Sequence, residues 1–423
     1  MKVLIIGGGG REHAIAWKIA KSPKVEKIFC APGNPGIADY AKCLNIDVND
    51  ITSLLTFAYE EQIDLTIVGP EAPLVAGIVD VFQSHDLRIF GPSKIAAQLE
   101  GSKQFAKEIM ERYDIPTARY ASFREAKAAK DYVRKHGVPC VIKADGLAAG
   151  KGVVVATTEQ DALTAIVTIM EDKAFGDAGE QVVIEEYLEG EEVSVLAFTD
   201  GKTIIPMVSS QDHKRIFEGD EGPNTGGMGA YSPAPVYTPE IRKVTEEQVL
   251  GPITRWMTEE KISYQGIIYA GLMITKDGPK VLEFNCRFGD PEAQPVLMRL
   301  DSDLVDIMLA VTEGRLADQE IRWLDEASVC VVLASGGYPG GYEKGKIIQG
   351  LDKIDEAVVF HAGTREVDGK IATGGGRVLG VTAKGSSIQE AINKVYPEVE
   401  KISFDGMQYR KDIGQKALKR TSK

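Results

Sequence analysis

Apolar runs of strand length alternate with stretches of helical periodicity over the first 92 residues of the chain. Strands are predicted at residues 3–6, 25–31 and 63–68, and helices at residues 13–21 and 51–60. Alternation of this kind is typical of βαβ units, which build a parallel sheet. The pattern therefore predicts a Rossmann-like N-terminal domain, which we place at residues 1–102.

The middle of the chain shows a second alternation and then loses its periodicity. Apolar runs at residues 141–143, 153–156 and 181–186 predict the strands of a small separate lobe, at about residues 116–188. Residues 211–235 carry five glycines and follow no clear period. This composition predicts a long loop, and long loops inside compact domains are often functional.

Beyond about residue 325 the pattern changes again. Strand candidates at residues 329–334 and 357–361 are followed by a final helix that starts at Ile388. These elements predict a small α+β region at the C-terminal end.

A predicted hairpin ends in an unusual polar strand. Residues 267–275, a turn at residues 276–279 and the segment LEFNCRFGDPE at residues 282–292 have the pattern of a β-hairpin. Glu283, Asn285 and Arg287 alternate with Phe284 and Cys286, so the three polar side chains share one face. Glu and Asn supply hard oxygen ligands for a divalent cation, and Arg matches phosphate oxygens. Taken alone, the segment also fits a half-exposed strand with a surface ion pair.

Composition narrows the class of protein. The chain has 423 residues, of which 43% are hydrophobic, and a formal net charge of −13. These values favour folded cores and argue against general binding to nucleic acids or anionic membranes. The five cysteines are scattered and form no CxxC pair, so neither a disulfide framework nor a zinc site is predicted. Because no signal peptide or membrane span is recognisable, we expect a soluble cytoplasmic protein.

A glycine-rich segment follows the predicted strand that ends at Lys143. Gly146, Gly150 and Gly152 allow backbone amides to approach phosphate oxygens, which Lys143 can neutralise. The segment is not a P-loop, because Gly152 stands where that motif has a metal-binding hydroxyl, and a strand rather than a helix follows. A plain glycine-rich β-turn remains the alternative interpretation.

Two other segments are ambiguous by themselves. The acidic run at residues 185–192 can hold ribose hydroxyls and pair with an adenine edge, but a solvated charge run is the more common explanation. The glycines at residues 7–10 fail the NAD fingerprint, because His13 occupies the third glycine position and no acid ends the second strand. A glycine-rich turn at a helix start is still a good anion site, and Arg11 strengthens it.

These residues occur together in the order of a known superfamily. Lys103, Lys143 with its glycine-rich loop, the segment 185–188, Glu192 and the strand with Glu283, Asn285 and Arg287 resemble an ATP-grasp enzyme. Longer blocks resemble the phosphoribosylamine–glycine ligase family in particular: GGGREHA, TIVGPEAPL, FGPS, QLEGSK, IKADGLAAGKGV, SQDHKR, GPNTGGMGAYSP, EFNCRFGDPE and GGRVL. The resemblance runs from the first strand to KDIG at residues 411–414.

The resemblance implies an ATP-dependent carbon–nitrogen ligase of purine biosynthesis. ATP would activate glycine as glycyl phosphate, and the amine of phosphoribosylamine would displace phosphate to give glycinamide ribonucleotide. Phosphoryl transfer of this kind depends on positioning and charge neutralisation. ATP is the expected co-substrate, and Mg²⁺ or Mn²⁺ is the expected metal.

The resemblance also assigns roles to individual residues. Glu283 and Asn285 would hold the metal, and Arg287 would be the catalytic residue that stabilises the phosphoryl group in transfer. The nucleotide would be bound by Lys103, Lys143, Gly146, Gly150, Gly152, Glu185, Glu186, Leu188 and Glu192, with the loop after Lys143 as a lid. Candidates for the glycine site are Asp212, Gly226, Gly227, Met228 and Gly229, and candidates for the ribose phosphate site are Gly9, Gly10, Arg11, Gly376 and Arg377. Residues 270–274 of the preceding strand carry no acid, so only two protein ligands are expected for the metal.

The implied architecture combines α/β and α+β domains. It consists of a Rossmann-like parallel-sheet domain at residues 1–102, an ATP-grasp domain with the lid lobe at residues 103–324, and a small α+β domain at residues 325–423. The expected partners are the small molecules glycine, phosphoribosylamine and ATP, without nucleic acid or membrane. A monomer or weak homo-oligomer is expected.

Three other classes compete with this interpretation. A nicotinamide oxidoreductase explains only the first domain. A catalytically silent nucleotide sensor explains nucleotide binding but not the complete metal face. A related ATP-grasp carboxylase or formyl-transferring enzyme of the same pathway does not account for the GPNTGGMGAYSP loop.

Overall fold

The N-terminal strands form a parallel sheet in the computed structural model, which describes residues 1–148 and 152–421. The elements are β1 (Lys2–Gly7), α1 (Gly10–Ile19), β2 (Lys27–Pro32), β3 (Lys42–Cys43), α2 (Ile51–Glu60), β4 (Leu65–Val68), α3 (Glu71–Ala76), α4 (Ile78–Gln83) and β5 (Ile89–Pro92). The strands pair in parallel in the order β3–β2–β1–β4–β5. The predicted Rossmann-like sheet is confirmed.

A small antiparallel lobe follows two helices, α5 (Gln98–Gly101) and α6 (Lys103–Arg112). Its elements are β6 (Tyr120–Phe123), α7 (Ala126–His136), β7 (Cys140–Ala144), β8 (Val153–Ala156), α8 (Glu159–Ile166) and β9 (Val182–Glu186). The strands pair in the order β6–β9–β7–β8. Ala129, Ile142 and Ile184 belong to a core of the lobe itself, so the lobe is a separate packing unit.

The chain then builds the long antiparallel strands. The next elements are β10 (Glu191–Thr199), β11 (Ile204–Pro206), β12 (Gln211–Asp212), β13 (Arg215–Phe217), β14 (Glu221–Asn224), β15 (Gly229–Ser232), α9 (Pro239–Thr245), α10 (Gly251–Glu259), β16 (Tyr264–Thr275) and β17 (Gly278–Asn285). Strands β16 and β17 pair as the hairpin predicted from the sequence. A π-helical turn, Glu246–Leu250, joins α9 to α10.

Strand β16 links the antiparallel strands to the parallel sheet. Its long central part pairs with β10, and its first residues, Tyr264 and Gln265, pair with Pro92 and Gly91 of β5. The two sheets are therefore one nine-stranded sheet, in the order β11–β10–β16–β5–β4–β1–β2–β3, with β17 beside β16. At this junction the backbones approach so closely that a Cβ at Gly266 would lie 3.1 Å from Cα of Gly91.

The C-terminal part contains a second large sheet. Its elements are α11 (Ala293–Arg299), α12 (Leu304–Thr312), β18 (Ala327–Ala334), β19 (Val358–His361), β20 (Thr364–Val367), β21 (Lys370–Thr373), β22 (Arg377–Gly385), α13 (Ile388–Lys401) and α14 (Gln415–Thr421). Helix α14 follows the helix at Ile388 that was expected to be the last. The sheet is antiparallel, in the order β12–β15–β18–β22–β19.

The prediction of a long loop at residues 211–235 is wrong. The segment contains four short strands, and β12 and β15 extend the C-terminal sheet by pairing through β15 with β18. Strands of two to four residues are too short to show a period, and β18, the partner of β15, lies about 100 residues further along the chain. Sequence periodicity therefore could not reveal them.

One apolar core joins the parts of the molecule. It includes Val3 of β1, Phe198 of β10, Val296 of α11, Leu304 of α12 and Phe360 of β19. Because burial of apolar surface stabilises a fold in proportion to its area, this shared core holds the N-terminal, antiparallel and C-terminal parts together. No helix among the described residues is long and apolar enough to cross a membrane.

Replacing Gly266 with Ala should weaken the junction between the two sheets. The added methyl group would meet the backbone of Gly91, which cannot move aside as the end of a flexible side chain can. Overpacking of this kind costs about 1–3 kcal/mol in the free energy of unfolding. Urea denaturation followed by circular dichroism would show a lower midpoint.

Gly341→Ala is the matched control, because nothing lies within 4 Å of the position of its Cβ. An unchanged midpoint for Gly266→Ala would contradict the close approach of the two backbones.

Candidate functional site

Residues that lie far apart in the sequence meet at a cavity of about 980 Å³. Its wall includes parts of the parallel sheet, the lobe, the hairpin β16–β17 and the C-terminal sheet. The predicted site residues that line it are Arg11, Lys103, Lys143, Gly146, Gly152, Glu185, Glu186, Leu188, Glu192, Asp212, Gly226, Glu283, Asn285, Arg287 and Arg377. The fold thus brings most of the predicted positions together. Gly150 lies outside the described residues.

Strand β17 presents Glu283 and Asn285 to the cavity. In the hairpin they stand opposite Gly271 and Tyr269 of β16. Glycine leaves room for the acid, because a Cβ at Gly271 would lie 3.3 Å from Cγ of Glu283. The polar face predicted from the alternation of residues is therefore on a paired, rigid strand.

Neighbouring cations keep Glu283 ionised. Burial disfavours its charged form, but the surrounding cations, first among them Lys214 and Lys143, outweigh burial and lower the pKa of Glu283. Asn285 adds an amide oxygen two residues along the same strand. Two hard oxygen donors fit a divalent cation that also binds phosphates. The described residues contain no group of three or more His, Cys, Asp or Glu side chains suited to a metal.

Two carboxylates hold Arg287 in place. Its Nη2 lies 2.7 Å from Oε1 of Glu100, and its Nε lies 3.3 Å from Oε2 of Glu71. Burial opposes the charge on Arg287, but Glu100 and Glu71 more than compensate and raise its pKa. Glu100 also accepts a hydrogen bond from the backbone N–H of Cys286 at 2.7 Å. The guanidinium is therefore charged and fixed at the cavity wall.

The two predicted phosphate lysines approach the cavity from different elements. Ser102 caps α6 by accepting a hydrogen bond from the N–H of Phe105 at 3.1 Å, which places Lys103 at the first position of the helix. Nζ of Lys103 donates to the carbonyl of Gly146 at 2.9 Å. Burial lowers the pKa of Lys103. The helix start and the glycine-rich loop are therefore in direct contact.

Lys143 ends its strand beside an acid. Its Nζ lies 2.9 Å from Oε1 of Glu185 and donates to the carbonyl of Leu282 at 2.9 Å. Lys107 approaches the same oxygen of Glu185 at 3.2 Å. The side chain of Glu185 is thus occupied by lysines inside the protein.

The segment after β9 offers a backbone donor to the cavity. The backbone N–H and the carboxylate of Glu186 are both bound to Arg119. The N–H donates to the carbonyl of Arg119 at 2.9 Å, and the carboxylate accepts from its Nε at 2.7 Å. By contrast, the N–H of Leu188 has no hydrogen-bond partner among the described residues. A free donor of this kind suits the acceptor edge of a nucleobase.

Asp212 titrates close to neutrality. Burial raises its pKa to about 7, although Lys214 acts in the opposite direction. Nζ of Lys214 lies 2.9 Å from Oε2 of Glu192, so the acid predicted to hold ribose already has a cationic neighbour. Asp212 and Lys214 reach the cavity because β12 is fixed to the C-terminal sheet.

Hydrogen bonds fix another acid at the wall, Glu292. Its Oε1 accepts from the hydroxyl groups of Tyr269 at 2.7 Å and Ser194 at 3.2 Å. These two hydroxyls also lie 2.9 Å from each other. Because Glu292 is held in this way, it forms a rigid part of the site near Asp212, whose pKa it helps to raise.

Asp290 lies at the cavity wall and connects the N-terminal and C-terminal parts. Nη1 of Arg377 donates to the carbonyls of Asp290 and Gly226, both at 2.6 Å. The carboxylate of Asp290 accepts from the N–H of Arg11 at 3.4 Å. Burial acts to raise the pKa of Asp290, but Arg377 and Arg11 outweigh it and lower that pKa.

Glycines make room for the side chains behind Arg11. Nε of Arg11 lies 2.6 Å from Oε1 of Glu12, and Nη1 donates to the carbonyl of Phe288 at 3.1 Å. Glu12 in turn accepts from the N–H of Gly9 at 2.6 Å. Gly69, which follows β4, also lies against Glu12. A Cβ at Gly69 would lie only 2.0 Å from Oε1 of Glu12, so glycine is required at this position.

Six of the described residues that were predicted to bind substrate do not line the cavity: Gly9, Gly10, Gly227, Met228, Gly229 and Gly376. Met228 is a clear correction, because its side chain is fully buried and packs with Ile216 and Ala334. A Cβ at Gly376 would lie 2.2 Å from the ring of Tyr338. These positions therefore lie next to residues of the wall, such as Gly226 and Arg377, without lining the cavity themselves.

Several charged residues of the wall were not predicted from the sequence: Glu71, Glu100, Lys107, Lys214, Asp290 and Glu292. All except Lys107 lie within the sequence blocks TIVGPEAPL, QLEGSK, SQDHKR and EFNCRFGDPE. Lys107 stands four residues after Lys103, so both side chains lie on one face of α6. Helical spacing was therefore the signal that could have identified it.

Comparison with known proteins agrees with this geometry. The phosphoribosylglycinamide synthetase family matches the chain in three parts: its N domain over residues 1–100, its ATP-grasp (A) domain over residues 101–293 and its C domain over residues 328–416. Together these matches cover most of the chain.

Relatives of high identity extend over the full length. Phosphoribosylamine–glycine ligase of Vibrio parahaemolyticus is 56% identical over 425 residues, which cover 99% of each chain. The enzyme of the same name from Halalkalibacterium halodurans is 55% identical and covers 99% of this chain and 97% of its own.

Solved structures show the same architecture. The crystal structure of phosphoribosylamine–glycine ligase from Thermotoga maritima matches with a TM-score of 0.85 and 34% identity, over 97% of this chain and 100% of that chain. The biotin carboxylase domain of the 2-oxoglutarate carboxylase of Hydrogenobacter thermophilus has a TM-score of 0.75 at 16% identity, over 96% of this chain and 91% of that chain, and shares the fold alone. The resemblance inferred from the motifs is confirmed, and the chain belongs to the phosphoribosylglycinamide synthetase family of ATP-grasp ligases.

Proposed function

We propose that the protein joins glycine to 5-phosphoribosylamine at the expense of ATP. The products are glycinamide ribonucleotide, ADP and phosphate, and the reaction passes through glycyl phosphate. The observation that carries the proposal is the end of β17, where ionised Glu283 and Asn285, together with the fixed Arg287 two residues beyond the strand, line one cavity with the lysines. The names of the full-length relatives support the choice of substrates.

In the first step, the carboxylate of glycine attacks the γ-phosphoryl group of ATP. Lys103 and Lys143 bind phosphate oxygens and hold the nucleotide in line. Glu283 and Asn285 would hold Mg²⁺ or Mn²⁺, which neutralises charge on the β- and γ-phosphates when bound. Arg287 stabilises the charge of the phosphoryl group in transfer, because Glu100 and Glu71 keep the guanidinium charged and oriented.

In the second step, the amine of phosphoribosylamine attacks the carbonyl carbon of glycyl phosphate, and phosphate leaves. Arg287 stays beside the departing phosphate. The glycine-rich loop after Lys143 acts as a lid that excludes water, which would otherwise hydrolyse the acyl phosphate. The protein supplies orientation and charge, and no covalent intermediate with the enzyme is needed.

The remaining contacts follow the wall of the cavity. The free N–H of Leu188 pairs with adenine, and Glu192 accepts from ribose hydroxyls. Asp212 binds the ammonium group of glycine, for which an ionised carboxylate is the suitable partner. Arg11 and Arg377, which both contact Asp290 at the cavity wall, bind the ribose phosphate.

The wider setting belongs to the same proposal. The domains lie at residues 1–102, 103–324 and 325–423, with the lid lobe at about residues 116–188. The protein acts in the cytoplasm, where its five cysteines, all of them free, remain reduced. It works on small molecules as a monomer or weak homo-oligomer.

Release of ADP should require every substrate. Purified protein supplied with Mg²⁺-ATP, glycine and freshly prepared phosphoribosylamine is expected to form ADP, and omission of any one component should abolish sustained turnover. A coupled assay for ADP measures this result. Turnover that is independent of glycine would contradict the proposed reaction.

Replacing Glu283 with Gln should reduce kcat by about 10²–10³-fold, as does the loss of other groups that stabilise charge in a transition state. The change removes the negative charge but keeps the size of the side chain. Steady-state kinetics measure the effect, and circular dichroism checks the fold. Glu247→Gln, at an exposed position, is the control. Near wild-type activity of Glu283→Gln would show that the metal lies elsewhere.

Glycine use should depend on the charge of Asp212. Its pKa of about 7 means that the carboxylate forms as the pH rises through 7 and is protonated below it. We therefore expect kcat/KM for glycine to fall as the pH drops from 8 to 6, by up to about tenfold for each pH unit below the pKa. Asp212→Asn should have a low kcat/KM for glycine at every pH in this range.

The pH profile of the variant decides the assignment. Asp212→Asn should lose the inflection near pH 7, while circular dichroism shows an intact fold. If the variant keeps the wild-type inflection, another group titrates, and Asp212 does not hold glycine.

A further inference from the structure

Lys107 is buried beside the proposed nucleotide site, and none of the proposed steps uses it. Only 2% of the residue is exposed. Its Nζ lies 3.2 Å from Oε1 of Glu185 and donates to Oγ1 of Thr117 at 2.8 Å and to the carbonyl of Ala118 at 3.5 Å. These contacts hold the ammonium group of Lys107 in one position at the wall of the cavity.

Glu185 is shared between two lysines. The oxygen that faces Lys107 also lies 2.9 Å from Nζ of Lys143. The other hydrogen-bonding contacts of both ammonium groups are neutral oxygens. The carboxylates of Glu186 and Glu283 attract Lys107 and Lys143, respectively, from further away. One carboxylate therefore faces two buried cations, and an excess of buried charge is unfavourable unless a ligand balances it. Burial lowers the pKa of Lys107 to about 8, so the lysine is still mainly protonated at pH 7.

The charge available to a phosphate would be smaller if Lys143 were the only lysine beside Glu185. With Lys107 absent, Glu185 and Lys143 would form a neutral pair, and the attraction of Lys143 for a phosphate would be largely cancelled. With Lys107 present, the cluster has one positive charge in excess. That excess lies next to Lys103, which faces the same cavity.

We propose that Lys107 is a positioning residue for the nucleotide, an inference that rests on the proposed use of ATP. Lys107 binds Glu185 and thereby leaves the charge of Lys143 available to the phosphates of ATP. The three residues act as a unit: Lys107 holds the carboxylate, the carboxylate orients Lys143, and the phosphate balances the remaining charge.

The competing explanation is a buried ion pair that only stabilises the fold. The two explanations differ in the free protein. If the ion pair only stabilises the fold, removal of Lys107 lowers the stability of the unliganded protein. In the proposed unit, Glu185 keeps Lys143 as a partner and two like charges no longer face each other, so the unliganded protein keeps its stability.

The first experiment replaces Lys107 with Met and with Gln. Gln keeps a hydrogen-bonding end near Thr117 and tests the charge alone, should Met disturb the packing. Both variants should weaken the binding of Mg²⁺-ATP, measured by isothermal titration calorimetry, about ten- to a hundredfold, the size expected for one charge-assisted contact. The KM for glycine and the melting temperature without ligand should stay at wild-type values.

Lys127→Met is the matched control, because the side chain of Lys127 is 91% exposed on α7. It should leave ATP binding unchanged. Wild-type ATP affinity in both Lys107 variants would overturn the proposal. A lower melting temperature together with equal changes in the use of ATP and glycine would also overturn it, in favour of the stabilising ion pair.

The second experiment tests whether Lys107 acts through Glu185. Glu185→Gln is combined with Lys107→Met, and ATP affinity is measured for both single variants and the double variant. Groups that act as a unit give non-additive effects. Because the proposed effect of Lys107 passes through Glu185, the double variant should bind ATP about as well as Glu185→Gln alone, whereas additive losses would mean that Lys107 acts without Glu185.

These measurements also separate the inference from the proposed reaction. ATP binding is measured without glycine or phosphoribosylamine. Weaker binding in the Lys107 variants, together with no glycine-dependent ADP release by the wild type, would leave the role of Lys107 intact and overturn the reaction. Full turnover by the wild type, together with unchanged ATP binding in the Lys107 variants, would support the proposed reaction and overturn the role of Lys107.

Discussion

The site depends on the pairing of strand β16. Its first residues join β5 of the parallel sheet, and the rest of the strand pairs with β10 on one side and β17 on the other. The register of antiparallel strands fixes which side chains share a face, and a shift of one residue would turn Glu283 and Asn285 away from the cavity. The glycines at the junction allow this arrangement, because two backbones with larger side chains could not approach so closely.

Charge determines what the cavity can bind. The chain as a whole is acidic, with a net charge of −13, yet lysines and arginines converge at the cavity wall. Most of these cations have a carboxylate or carbonyl partner, which keeps them charged and oriented without a ligand. Phosphates can enter such a site without a large reorganisation of the protein, which is the condition for effective electrostatic stabilisation of phosphoryl transfer.

Local pattern predicted much of the fold. The alternation of the first 92 residues gave the parallel strands, and the two-residue period of LEFNCRFGDPE gave the polar face of β17, because both are properties of a single element. The strands at residues 211–235 were not predicted, because their formation depends on pairing with other elements and not on a local pattern. Strand β15 of this segment pairs with β18, which is a distant part of the chain, and β12 pairs with β15. Asp212 reaches the cavity from β12, and Lys214 follows two residues later.

The sequence by itself determined the class of fold, the family and the identity of most residues of the site, since periodicity and motif spacing are written along the chain. Only the tertiary structure decided how those residues are used. It showed that Glu185 is held by Lys107 and Lys143, that Arg287 lies between Glu71 and Glu100, and that the side chain of Met228 points into the core. The physical reason is that charge pairing and burial depend on distances between elements, and no local period encodes those distances.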